Sequence, residues 1–157
     1  MVVKPRQVPI GLRLSQSARL VAGAFDDALS AAGGSLPIWL ILLNLKIRQV
    51  ASQRDLAAAV GIREATLTNH LNVMENRGLL TRRRDPANRR VHQVEPTPAG
   101  EALFLALRQA AAEFDHRLRA GLTDHDIDAL TALLTRIVHN VTEPSAGAPW
   151  AGLAEQG

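Results

Sequence analysis

The stretch Gln53–Arg90, QRDLAAAVGIREATLTNHLNVMENRGLLTRRRDPANRR, decides the fold. Ser52 precedes it, and Asp55 stands three residues later. A hydroxyl followed at that spacing by an acid is a capping-box-like helix start. The helix it opens, Gln53–Val60, places Leu56 and Val60 on one side and meets Gly61, which accepts the positive φ that ends helices. After Ile62 a second helix, about Arg63–Arg77, sets Leu67, Leu71 and Met74 within about 60° of one another at 100° per residue. Its other face carries Ala65, Thr66, Asn69, Asn72, Val73 and Asn76. Gly78 closes it. Six arginines lie between Arg77 and Arg90, with Asp85 the only acid among them. Leu79–Arg84 and Arg89–Glu95 read as two strands joined through Asp85-Pro86-Ala87-Asn88, a turn by composition.

Two short helices joined tightly, followed by an arginine-rich hairpin, describe a device for holding DNA. The second helix suits a major groove: its exposed face is free of acids, amides can pair with base edges, and small residues permit close approach. The arginines suit phosphates. Thr66, Thr68, Asn69 and Asn72 form the expected base- or phosphate-facing set. His70 lies toward the flank, with DNA contact and a plain surface role equally open. Arg63 sits at the helix start, where a phosphate would also meet the helix N-terminus. Arg82, Arg83 and Arg84 cannot all face DNA, because side chains alternate along a strand. Arg77 is open between an ion pair with Glu75 or another acid and a phosphate contact.

Outside this stretch the chain reads as helices. Apolar residues recur at Leu14, Ala18, Val21, Phe25, Leu29 and Ala32, ending at Gly33-Gly34. Ser35 caps the next helix with Pro37 in its first turn. That helix, Leu36–Val50, is apolar nearly all round at its start and therefore central. Thr97-Pro98 opens a long helix to about Gly121, bearing Leu103, Leu107, Phe114 and Leu118. Thr123 with Asp126 opens the last, through Val141. Residues 1–9 read as a loose arm, and the Pro-, Gly- and Ala-rich residues 143–157 as a disordered tail.

Composition agrees. Among 157 residues, 46% are hydrophobic and only 3% aromatic, so an aliphatic, helical core is expected. The net charge is +3, distributed as +4 over residues 1–50, +4 over 51–94 and −5 over 95–157. Basic charge away from the C-terminal third suits a nucleic-acid patch; a solvated, salt-bridged surface is the plain alternative. With no cysteine, thiolate metal sites and cysteine nucleophiles are excluded. No Gly-rich phosphate loop or nucleophile elbow is present, so catalysis is not expected. The longest apolar run, Leu36–Leu43, falls far short of the ~20 residues of a membrane span, and a cytoplasmic location is expected.

The stretches "SLPIW" (35–39), "RDLAAAVGIREATLTNHLNVMENRGLLTRR" (54–83) and "DPANRRVHQVEPTPAG" (85–100) resemble the multiple-antibiotic-resistance regulator (MarR) family of winged-helix transcription factors. The resemblance spans about residues 10–142. It implies a mainly α fold with a small β-hairpin wing: a winged helix–turn–helix at 35–97, with dimerisation helices at 10–34 and 98–142. It further implies a homodimer on an inverted-repeat operator in double-stranded DNA, usually a repressor. A small amphipathic or aromatic effector would bind in a crevice that Trp39 could line, although a tryptophan here also suits the core. No cofactor is expected. In the family the wing tip is usually Asp-x-Arg, and here it is Asn88-Arg89-Arg90. Arg90 aligns with the arginine that enters the minor groove, and Asn88 or Asp85 would orient it. The expected DNA contacts are thus Arg63, Thr66, Thr68, Asn69, His70, Asn72, Arg82, Arg84, Arg89 and Arg90. Two alternatives remain. One is a zinc-responsive regulator, for which His116 and His125 lack a convincing ligand pattern. The other is a non-specific winged-helix module that binds nucleic acid or protein.

Overall fold

The computed structural model describes residues 8–48, 52–87 and 92–142. The expectations for the N-terminal arm, the tail at 143–157, Asn88, Arg89 and Arg90 lie outside the described residues. The order of elements is α1 (Ile10–Ala31), α2 (Leu36–Ile47), α3 (Gln53–Val60), α4 (Glu64–Asn76), β1 (Leu80–Arg84), β2 (His92–Pro96), α5 (Pro98–Leu118) and α6 (Asp124–Val141). Helices thus dominate, with one two-stranded antiparallel sheet. The chain divides into two compact units between Phe114 and Asp115.

Each boundary has a local cause. α1 ends as Gly33 takes φ +91° and the Gly34 N–H donates back to the Leu29 carbonyl at 3.0 Å, satisfying a terminal acceptor. Ser35 caps α2, accepting from the Ile38 N–H. Ser52 caps α3 through the Asp55 N–H, and Gly61 closes it at φ +76°. Thr97 accepts from the Gly100 N–H at 3.2 Å and donates its hydroxyl proton to the Gly78 carbonyl. One side chain therefore caps α5 and ties it to the end of α4. A full capping box between Thr123 and Asp126 starts α6.

The core belongs to the first unit and forms around α2, which buries Ile38, Trp39, Ile41, Leu42 and Leu45. Against it pack Leu29 of α1, Leu56 and Ala57 of α3, Leu67, Leu71 and Met74 of α4, Leu80 and Val94 of the hairpin, and Phe104 and Leu107 of α5. Asn44 is buried among them and donates to the Leu40 carbonyl one turn back at 2.8 Å. Trp39 stacks on Phe104 with ring centroids 5.6 Å apart. The indole is thus packed as a core side chain. Phe25 stacks on Phe114 at 5.0 Å, and Lys46 pairs with Glu101 at 2.7 Å, joining α2 to α5. In the second unit, α6 buries no residue.

The expected boundaries shift slightly. α2 stops at Ile47 and α5 at Leu118, while Leu79 precedes β1 rather than joining it. The register pairs Leu80 with Pro96, Arg82 with Val94 and Arg84 with His92. Ser52 adds a single antiparallel bridge to Gln93, so the residue that caps α3 also touches the hairpin.

Candidate nucleic-acid interface

α3 and α4 form the helix–turn–helix. Burial of Leu67, Leu71 and Met74 on one side of α4 turns Ala65, Thr66, Asn69, Asn72, Val73 and Asn76 outward, and all six are exposed. The apolar face orients the helix, and the amide face follows from its 3.6-residue period. Val73, 53% exposed, is the one large apolar residue on it. Arg63 is the exposed N-cap residue of α4 and makes no side-chain capping bond, so the N–H groups of the first turn have no cap from it. His70 is half-buried on the flank.

Three members of the expected set, Thr68, Asn72 and Arg82, are engaged within the protein. The Thr68 hydroxyl donates to the Glu64 carbonyl at 2.9 Å and accepts from Gln53 Nε2 at 2.8 Å. It fastens the first residue of α3 to α4 and so holds the angle between the two helices. Arg82 leaves β1 and reaches back to α4. Its Nε donates to Glu75 Oε2 at 3.1 Å, and its Nη2 donates both to that oxygen and to Asn72 Oδ1 at 2.6 Å. The Arg82 guanidinium hydrogen-bonded to Glu75 holds its carboxyl below the ordinary value.

This network corrects the reading of Arg77. Its Nη2 donates to the Gly33 carbonyl at 2.9 Å, and Glu75 belongs to Arg82. Arg77 lies at the C-terminal end of α4 beside the exit of α1, whereas Glu75 faces the hairpin. Neither Gln53 nor the Glu75–Arg82 pair stood out in the sequence. Their partners lie 15 and 7 residues away across turns, a spacing without helical or strand periodicity.

Along β1, Arg83 and Arg84 are exposed, while Arg82 is half-buried through its contact with Glu75. Asp85 starts the turn: its Oδ1 accepts from the Ala87 N–H at 2.8 Å, and its Oδ2 accepts from Gln93 Nε2 at 3.2 Å. Among the described residues, exposed Arg63, Arg83 and Arg84 therefore accompany an acid-free amide face. Of the acids beside it, Glu75 is paired with Arg82, while Glu64 lies in the first turn of α4 and Asp85 in the hairpin turn. Such a surface can carry both kinds of DNA contact, phosphate and base edge.

Among the described residues, no group of three or more His, Cys, Asp or Glu side chains is gathered as a metal site. No single helix there is long and apolar enough to cross a membrane.

Comparison with known proteins places the geometry. Residues 35–92 match the MarR family model. A MarR-family transcriptional regulator from Rhodococcus sp. RHA1 is similar at 26% identity, with 85% of this chain and 95% of that one covered and a TM-score of 0.67. A probable transcriptional regulator from Pseudomonas aeruginosa is similar at 28% identity, covering 82% and 96% with a TM-score of 0.69. The transcriptional repressor CouR, solved on a 23-mer DNA duplex, is similar at 26% identity, covering 83% and 92% with a TM-score of 0.73.

Proposed function

We propose that this chain, whose residues 35–92 match the MarR family model, is a dimeric, sequence-specific repressor of that family. It binds an inverted-repeat operator and is released by a small amphipathic or aromatic effector. The observation that carries this reading is the outward face of α4, which is exposed, acid-free and rich in amides, with the arginine strand β1 anchored beside it. The DNA-bound repressor of similar fold supports it.

In this reading α4 lies in the major groove, with Thr66, Asn69 and Asn72 toward base edges. Arg63, Arg83 and Arg84 meet phosphates, and Arg90 is the arginine that the resemblance assigns to the minor groove. Two recognition helices related by a two-fold axis would occupy half-sites about 34 Å apart, one helical turn. Repression follows from blocking promoter access. An effector acts by changing the separation of the two helices, so that both no longer fit their grooves together.

The test is selection of bound fragments from sheared genomic DNA by the purified protein at near-physiological salt. Enrichment of an inverted repeat with half-sites about one turn apart is expected. Binding without enrichment, fading smoothly as salt rises, would reduce the protein to generic phosphate contact and defeat the proposal.

A further inference from the structure

We infer that Asn72 reads a base edge offering only hydrogen-bond acceptors, guanine or thymine, because Arg82 dictates which end of its amide faces outward. The inference rests on the reading of α4 as the recognition helix.

The two ends of an asparagine amide are nearly equal in size but opposite in chemistry, one accepting and the other donating. Alone on a helix surface the amide can rotate to suit either. Here it cannot rotate freely. Arg82 Nη2 lies 2.6 Å from Asn72, and a guanidinium has donors and no acceptor. The atom facing it must therefore be the oxygen. Rotating the amide would set its N–H₂ against the guanidinium and lose a charge-assisted bond. Arg82 is not free to retreat either, since its Nε and Nη2 are both bound to Glu75 and its side chain is only 19% exposed.

The amide nitrogen is thus the end left for DNA. Guanine presents two acceptors in the major groove and thymine presents one beside its methyl group. Adenine pairs best with an amide that accepts and donates together. That pairing would have to use the second lone pair of an oxygen already held at 2.6 Å by a cation. The cytosine amino group is a donor and would meet the donor end of the amide. Exposed Val73, the next residue on α4, offers an apolar contact should the base be thymine.

The experiment selects duplexes from a randomised pool with the full-length protein and compares it with three variants. Asn72→Ala identifies the operator position that residue 72 reads, as the position losing preference. At that position the unaltered protein is expected to select guanine or thymine over adenine by roughly ten-fold or more. Arg82→Ala frees the amide, and the preference should relax toward adenine there while other positions keep theirs. Asn72→Asp keeps an acceptor for Arg82 but removes the donors, and should turn the preference toward cytosine. Thermal melting establishes that each variant is folded; should Arg82→Ala fail to fold, Asn72→Asp carries the test. Selection of adenine or cytosine by the unaltered protein overturns the inference, as does an operator with no position that responds to Asn72→Ala. Failure to select any sequence overturns the regulator reading itself.

Discussion

Single side chains in this protein divide into those that would touch DNA and those that hold them in place. Asn69 is exposed at the centre of the amide face, and Asn69→Ala should cost about 1–3 kcal/mol at particular base pairs. Operator variants measured by titration check this, and equal loss on every sequence would remove Asn69 from base reading. Thr68 is different, because its hydroxyl joins Gln53 to the Glu64 carbonyl. Thr68→Val should lower stability by about 1 kcal/mol in urea unfolding, with base preferences unchanged. A changed preference without a stability change would show that Thr68 reads DNA directly. Glu75 adds a pH dependence. Its carboxyl is held below the ordinary value of 4.5 by Arg82, so the folded state binds its proton less readily than the unfolded chain. The pair's stabilisation is therefore complete above that value and is lost as pH falls through it toward the lower folded value. In acid titrations the stability gap between the protein and Glu75→Gln should narrow as the pH falls below 4.5; a constant gap would mean the pair contributes no such linkage.

At the scale of elements, the approach of α5 to the start of the hairpin is the tightest constraint. A Cβ built on Gly100 would lie 1.9 Å from the Leu79 carbonyl oxygen. That oxygen is backbone and already accepts the Thr97 N–H at 3.0 Å. Gly100→Ala must therefore push α5 away from the segment that leads into β1. A loss of at least about 1–3 kcal/mol is expected from such overpacking, read as a lower melting temperature. A variant as stable as the parent would contradict the packing. Gly100 is a requirement of close approach, since its neighbours form an ordinary helical first turn. The glycine of "TPAG" carries the sequence resemblance, and this contact is a physical reason for a residue without a side chain there.

For the whole molecule, the exposed apolar residues are the surface available to the proposed dimer. α6 buries nothing and leaves Leu130 and Leu133 about half exposed, while α1 exposes Ile10, Leu12, Leu20 and Val21. Apolar stripes of this kind on amphipathic helices mark association surfaces. The proposed dimer predicts twice the chain mass in sedimentation and a melting temperature that rises with protein concentration. Leu133→Glu should shift the protein toward monomer and weaken operator binding, since one recognition helix cannot span two half-sites. An unchanged dimer would place the interface elsewhere, and a monomeric parent would defeat the two-fold operator.

The sequence by itself determined the elements and the outward amide face of α4, because those depend on local information. Caps at Ser35, Ser52, Thr97 and Thr123, glycines after α1, α3 and α4, and the spacing of Leu67, Leu71 and Met74 are written in consecutive residues. Burial of one face of α4 then obliges its amides to point outward. Arginine pairing was decided only in three dimensions. Nothing local distinguishes Arg77 from Arg82 as the partner of Glu75, since either can reach it from a nearby turn. The register of β1 and the packing of α1 against the end of α4 send Arg77 to Gly33 and Arg82 to Glu75 and Asn72. Thr68, Gln53 and the core position of Trp39 were settled in the same way. A side chain's chemistry is carried by the sequence, but its partner is chosen by whatever the fold brings within about 3 Å.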